Sequence, residues 1–265
     1  MPTQTHPLSP AGPVLLVVRN PRGAVVVDTT TTGPYGVELS ARGDGDLDEV
    51  RVAADDSRVE VELPKRWFGR QPKVRIVVRI PAGSTADIST ASASVDTHGE
   101  LAQCEVRSAS GSVQLDRITG SARVEVVSGA TRIDFVGGDL VVHSVSGSNR
   151  IGTVEGDCSA KTVSGSTEVG HAGHDLTVKA VSGSIRARHV RAGEVDLAAT
   201  SGSIQVGVQK GTLVWLDLGA ASGAVRSDLD DDPGPAPGDD GPALKLRAHT
   251  TSGSIRVERS TVASV

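Results

Sequence analysis

The 265-residue sequence predicts an all-β fold, a single-stranded β-solenoid with coils of about 18 residues. Three observations carry it. The dipeptide Ser-Gly recurs at Ser110, Ser128, Ser146, Ser164, Ser182, Ser201, Ser222 and Ser252, at intervals of 18, 18, 18, 18, 19, 21 and 30 residues. Around each copy apolar and polar residues alternate with a period of two, the signature of a half-buried strand. The composition supplies 38 valines and 31 glycines but only five aromatic side chains, Tyr35, Trp67, Phe68, Phe135 and Trp215. A core without rings has to be a narrow column of Val, Ile, Leu and Ala.

Each coil is legible element by element. Six and four residues before the serine stand apolar positions such as Leu140 and Val142, or Leu176 and Val178. These form the first strand. The Ser-Gly corner follows, with glycine supplying a positive φ. Three and five residues after the serine come Val113 and Leu115, Ile185 and Ala187, or Ile204 and Val206, which form the second strand. Eight after it a third apolar position carries Ile118, Val136, Val154, Ala172 and Val190. One such unit cannot bury its apolar face alone; stacked copies can, with parallel ladders ~4.8 Å apart. An antiparallel sandwich with nine-residue hairpins is the competing arrangement. Constant register over five coils favours the solenoid, because hairpin loops tolerate length changes.

The ends depart from the repeat. Residues 1–12 read as a disordered tail and 260–265 as a second tail. Residues 13–91 read as an N-terminal β region that caps or leads into the solenoid, and 92–259 as the repeats themselves. Ser92 opens a degenerate copy of the motif. Val14–Arg19, Ala24–Asp28, Gly36–Ser40, Val50–Ala53, Ser57–Leu63 and Val74–Ile80 read as strands, with turns at 20–23 and 43–46. The segment 228–242 holds six Asp and four Pro in fifteen residues and reads as a solvated loop budding from one corner. On this reading the residues from Ser252 to Arg259 close the last coil.

The net charge of −5 argues against a nucleic-acid partner, and the stacking platforms such binding uses need aromatics the chain lacks. No apolar run approaches the ~20 residues of a transmembrane helix. The N-terminus carries no signal-peptide pattern, which points to the cytoplasm. Cys104 and Cys158 occupy equivalent inward positions three coils apart, ~14 Å by ladder spacing. That exceeds the reach of a disulfide, so both are expected as buried free thiols.

Taken together, several segments resemble a known family. They are Asn20-Pro21-Arg22-Gly23 with its following strand, Val77-Val78-Arg79-Ile80-Pro81-Ala82-Gly83-Ser84, the Ser-Gly series, Gly211-Thr212-Leu213-Val214-Trp215-Leu216-Asp217, and Ser252-Gly253-Ser254-Ile255-Arg256-Val257-Glu258-Arg259. The sequence resembles the bacterial "putative adhesin" β-strand-repeat family of unknown function, in its actinobacterial form. The resemblance implies a right-handed β-helix and a role in adhesion, and it brings no catalytic residues. The family often carries Asp after Ser-Gly. Here Ser112, Ser148, Ser166, Ser184, Ser203 and Ser254 stand there, which removes a stack of carboxylates that would hold cations.

The candidate sites follow from the outward positions. Four residues after each serine stand Gln114, Arg132, Arg150, Glu168, Arg186, Gln205, Arg226 and Arg256. In a solenoid these form one row, either a stripe for an anionic polymer or a solvated strand face. The binding candidates are Arg132, Arg150, Arg186, Arg226 and Arg256, joined by Arg66 and Trp67 from a basic segment that holds two of the five rings. His171 and His189 fall one coil apart, but no carboxylate or cysteine completes a metal set, so no metal and no cofactor are assigned. No nucleophile elbow, zinc-binding His pair or phosphate loop is present. The functional expectation is therefore a non-enzymatic scaffold or binding protein whose partner is a protein, a glycan or an envelope ligand. Self-assembly into filaments is the alternative, and a polysaccharide-processing enzyme ranks last.

Overall fold

The computed structural model describes residues 2–30, 33–41, 47–63, 73–229 and 243–260. Among the described residues there are 23 strands and no helix. The fold is an all-β solenoid built of parallel ladders, as the repeat predicts. It comprises two compact units, Met1–Phe135 and Val136–Val265.

The first unit runs through β1 (Thr3–Pro7), β2 (Leu15–Asp28), β3 (Gly36–Ala41), β4 (Arg51–Ala54), β5 (Arg58–Glu62), β6 (Val74–Arg79), β7 (Ser84–His98), β8 (Glu100–Ser110), β9 (Val113–Ile118), β10 (Ala122–Ser128) and β11 (Thr131–Val136). β2 pairs in parallel with β7 along its length and with β5 and β6 on its other edge. The second pass of the chain therefore lies outside the first. β3 then pairs with β6, β1 with β3 and β4 with β5, all antiparallel. Antiparallel strands end the parallel stack and protect its edge.

The expected tail over residues 1–12 is thus corrected in part, since Thr3–Pro7 is a paired strand. Its backbone finds partners on β3, which outweigh the entropy of a free end. The expected turn at 20–23 lies within the continuous β2. There the Asn20 side chain, fully buried, donates from Nδ2 to the carbonyls of Val74 at 3.0 Å and Ala24 at 3.4 Å. The turn expected at 43–46 lies outside the described residues.

The second unit contains β12 (Leu140–Ser146), β13 (Asn149–Val154), β14 (Cys158–Ser164), β15 (Thr167–Ala172), β16 (Leu176–Ser182), β17 (Ile185–Val190), β18 (Gly193–Ser201), β19 (Ile204–Gln209), β20 (Leu213–Ser222), β21 (Val225–Ser227), β22 (Ala243–Ser252) and β23 (Ile255–Ser260). Even-numbered strands form one ladder and odd-numbered strands another. The order is not that of the chain. β22 pairs with β18 on one edge and β20 on the other; β23 likewise lies between β19 and β21. The coil of Ser252 is inserted between those of Ser201 and Ser222. It does not close the stack, the place that chain order predicts for it; among the described residues the Ser222 coil is outermost in this ladder.

The physical reason lies in the side chains. The Ser252 coil offers Leu246, Ala248, Ile255 and Val257, all fully buried or nearly so. The Ser222 coil has Ser227 where the others have Leu, Ile, Val or Ala, and its Val225 is 43% exposed. The more apolar coil takes the place that is covered on both sides.

Glycine at the corner is required by the stacking. Gly183 has φ +150°, and a Cβ there would lie 1.9 Å from the carbonyl oxygen of Gly165 in the coil beneath. The Gly165 N–H in turn donates to the Ser182 carbonyl at 2.9 Å. The corners are therefore in backbone contact, and only glycine lets them approach so closely.

Candidate functional site

In the second unit the ladder registers bring five of the outward residues into one row with Glu168. Arg150 aligns with Glu168, Glu168 with Arg186, Arg186 with Gln205, Gln205 with Arg256, and Arg256 with Arg226. The row exists because side chains alternate across a strand and the coils keep register. The insertion of the Ser252 coil puts Arg256 ahead of Arg226, the reverse of the chain order.

The row is tied together, and to the residues flanking it, by hydrogen bonds and ion pairs. Arg186 donates from Nε to Gln205 Oε1 at 3.0 Å, and Gln205 donates from Nε2 to Glu258 Oε1 at 2.8 Å. Arg256 pairs with Glu258 at 3.1 Å and Asp228 at 3.2 Å. Arg188, two residues beyond Arg186, pairs with Glu168 at 2.6 Å. Exposed pairs of this kind add little stability, so their effect is to fix the pattern that the surface presents. Among the described residues no carboxylate forms an ion pair with Arg150 or Arg226. Arg132 lies in the first unit and pairs with Asp134 at 2.9 Å. Arg66 and Trp67 lie outside the described residues.

A second outward row was not singled out from the sequence. Val145, Val163 and Val181 directly precede the Ser-Gly corners and are 47%, 49% and 53% exposed. The signal was present in the recurring Val-Ser-Gly. An apolar residue in a mostly apolar strand reads as core unless its face is known.

His171 and His189 are register neighbours, as the 18-residue spacing implies. His189 Nδ1 shares a hydrogen bond with Ser260 Oγ. Burial, His171 and the Arg188 charge, in that order, hold the His189 imidazole below its ordinary value. Among the described residues no group of three or more His, Cys, Asp or Glu side chains is placed to hold a metal. Cys104 and Cys158 are free and buried, and burial pushes both thiols up to about 12. Among the described residues no helix is long and apolar enough to cross a membrane.

A sequence-family model described as Toastrack DUF4097 matches residues 16–265. No curated protein matches the chain. Among solved structures the chain is similar to a protein from Bacteroides fragilis described as a "putative adhesin". The two are 13% identical, with 97% of each chain covered and a TM-score of 0.50. It is also similar to a "putative lipid binding protein" from Parabacteroides distasonis, at 13% identity, 96% of each chain and a TM-score of 0.47. At 13% identity the first of these likenesses speaks to the fold alone.

Proposed function

The chain belongs to the Toastrack DUF4097 family, and on that premise we propose that it is a non-enzymatic binding scaffold whose outer face takes a ligand of the cell envelope. The observation that carries this reading is the row of Arg150, Glu168, Arg186, Gln205, Arg256 and Arg226, held in register by the ladders. A row of donors and acceptors at a ~4.8 Å repeat is preorganised for a polymeric or many-headed ligand, since no side-chain scaffold has to be ordered on binding. The family resemblance to adhesins agrees with it. Co-sedimentation of the full chain with purified bacterial envelope tests it. Binding that falls when Arg150 and Arg226 are both changed to Glu supports the reading; no binding to the envelope at any protein concentration overturns it.

A second reading, end-on self-assembly, is favoured by one observation. β20 pairs only with β22 and β21 only with β23 among the described residues. Leu213, Trp215 and Val225 on these strands are 46%, 54% and 43% exposed. An edge with unpaired backbone and apolar side chains can recruit another strand. Sedimentation velocity at rising concentration separates the two readings, since a strict monomer excludes assembly.

A further inference from the structure

The ladder of the second unit breaks register once, between β17 and β19. Ala187 aligns with Val206 and Val190 with Val208, so Arg188 and His189 together face the single residue Gly207. This is a β-bulge, a device that re-aims side chains. Beside it the outer wall holds a cavity of about 340 Å³, lined by Arg186, Arg188, Arg259, Gln205 and Glu258 with the His189–Ser260 pair.

The lining has a definite chemistry. It carries three guanidiniums and one carboxylate, with the Glu168 carboxylate paired to Arg188 beside it. The guanidiniums are held in place. Arg186 and Arg188 donate through Nε to Gln205 and Glu168, and Arg259 donates from a terminal nitrogen to the carbonyls of Gln209 at 3.2 Å and Thr212 at 3.4 Å. Guanidinium groups recognise oxyanions through paired N–H bonds. Gln205 and Glu258 are bonded to one another and supply an amide and carboxylate oxygens, the groups that bind hydroxyls. The volume is at the lower end of small-molecule sites, enough for one sugar ring.

We infer that this cavity binds a single acidic sugar, a hexose ring bearing a carboxylate, with Arg186, Arg188 and Arg259 on the carboxylate and Gln205 and Glu258 on ring hydroxyls. The inference rests on reading the outer face as a binding surface, and it names the ligand class for one place on that face. The His189–Ser260 bond forms the wall against which the ring sits. The cavity depends on the inserted coil, because Glu258, Arg259 and Ser260 reach Gly207 only through β23.

The test is titration of the full chain with glucuronate, glucose and inorganic sulfate, followed by calorimetry or by the histidine resonances. Glucuronate is expected to bind saturably and to shift His189, glucose to give no shift at the same concentration, and sulfate to bind at least about tenfold more weakly than glucuronate. Arg186→Gln and Arg188→Gln, separately, are expected to weaken glucuronate about tenfold or more with unchanged thermal midpoints, whereas Arg132→Gln leaves it unchanged. Absence of saturable glucuronate binding, equal binding of sulfate, or binding indifferent to both variants overturns the inference. If envelope co-sedimentation persists in that case, the proposed function stands without this site; if co-sedimentation is absent, the proposed function itself fails.

Discussion

His189 and Ser260 lie 71 residues apart in the chain, yet His189 Nδ1 and Ser260 Oγ share a hydrogen bond of 2.5 Å. Two features make it possible. β23 is inserted next to β19, and Gly207 of β19, which lies between the two residues, has no side chain. A Cβ on Gly207 would meet the Arg188 carbonyl oxygen at 2.1 Å and the Ser260 Cβ at 3.5 Å. Gly207→Val is therefore expected to destabilise the protein by about 1–3 kcal/mol and to move the His189 resonances. Chemical denaturation with a matched spectrum checks both; an unchanged midpoint contradicts the packing described.

Acid should act through the same histidine. Its folded-state value is lowered, so the unfolded chain takes up the proton first as pH falls. The contribution of neutral His189 is fully present above its ordinary value of 6.5 and declines as pH falls from there through the lowered folded value. His189→Gln is expected to flatten the stability profile below that point. A profile of unchanged slope shows that the group is not perturbed.

The corner glycines make a sharper case. Gly183→Ala combines a φ that L residues rarely adopt with a Cβ 1.9 Å from a backbone oxygen. The expected loss is on the order of 3 kcal/mol or more. Ser182→Ala, one residue away on an exposed position, should cost within about 0.5 kcal/mol. Equal midpoints for the two variants would remove the argument for backbone contact at the corner.

Polar residues inside the column give a prediction of opposite sign. Asn149 is buried and donates from Nδ2 to the hydroxyls of Thr162 at 2.9 Å and Thr167 at 3.4 Å, which also bond one another at 3.1 Å. Its Oδ1 has no hydrogen-bond partner among the described residues. Asn149→Val removes that unpaired acceptor and leaves the threonine pair, so it should stabilise by about 1 kcal/mol. A lower midpoint would show that Oδ1 is satisfied in solution.

The two thiols should be silent. With values pushed up to about 12 by burial, neither Cys104 nor Cys158 presents thiolate at neutral pH. Labelling by a thiol reagent is expected only after unfolding, with two thiols then reacting per chain. Rapid native labelling at either position would place that residue outside the core.

Much of this architecture is readable in the chain, because the register that stacks Leu140 on Cys158 and Cys158 on Leu176 is the same 18-residue interval that spaces them in sequence. Leu140, Val142, Ile151 and Val154 are buried where the alternation puts them. The coil order at the end is not readable from spacing. Intervals of 21 and 30 residues fit either order, since a loop of any length lets the chain skip a level and return. The clue was compositional: Ser227 marks a coil with one wet side, and Ile255 with Val257 a coil without one. The arginine row was legible as a row, since alternation fixes facing. Its partners were not, because Glu258 and Asp228 belong to coils whose neighbours depend on the insertion. The bulge at Arg188–His189 is not the source of the change of interval from 18 to 19. Ala172 aligns with Val190 and Leu176 with Val195, so that extra residue falls between Val190 and Val195, and the bulge arises because Val208 follows Val206 one residue sooner than Val190 follows Ala187.

The inserted coil is the claim on which both the row and the cavity depend, and cross-linking tests it most directly. Three double variants place cysteines at the exposed corners: Ser201→Cys with Ser252→Cys, Ser222→Cys with Ser252→Cys, and Ser201→Cys with Ser222→Cys. Neighbouring coils are ~4.8 Å apart and second neighbours ~9.6 Å, and a disulfide needs Cα atoms within ~7 Å. The structure predicts that the first two pairs oxidise to intramolecular disulfides and the third does not. A disulfide between positions 201 and 222, with none between 201 and 252, would contradict it and restore the coils to chain order.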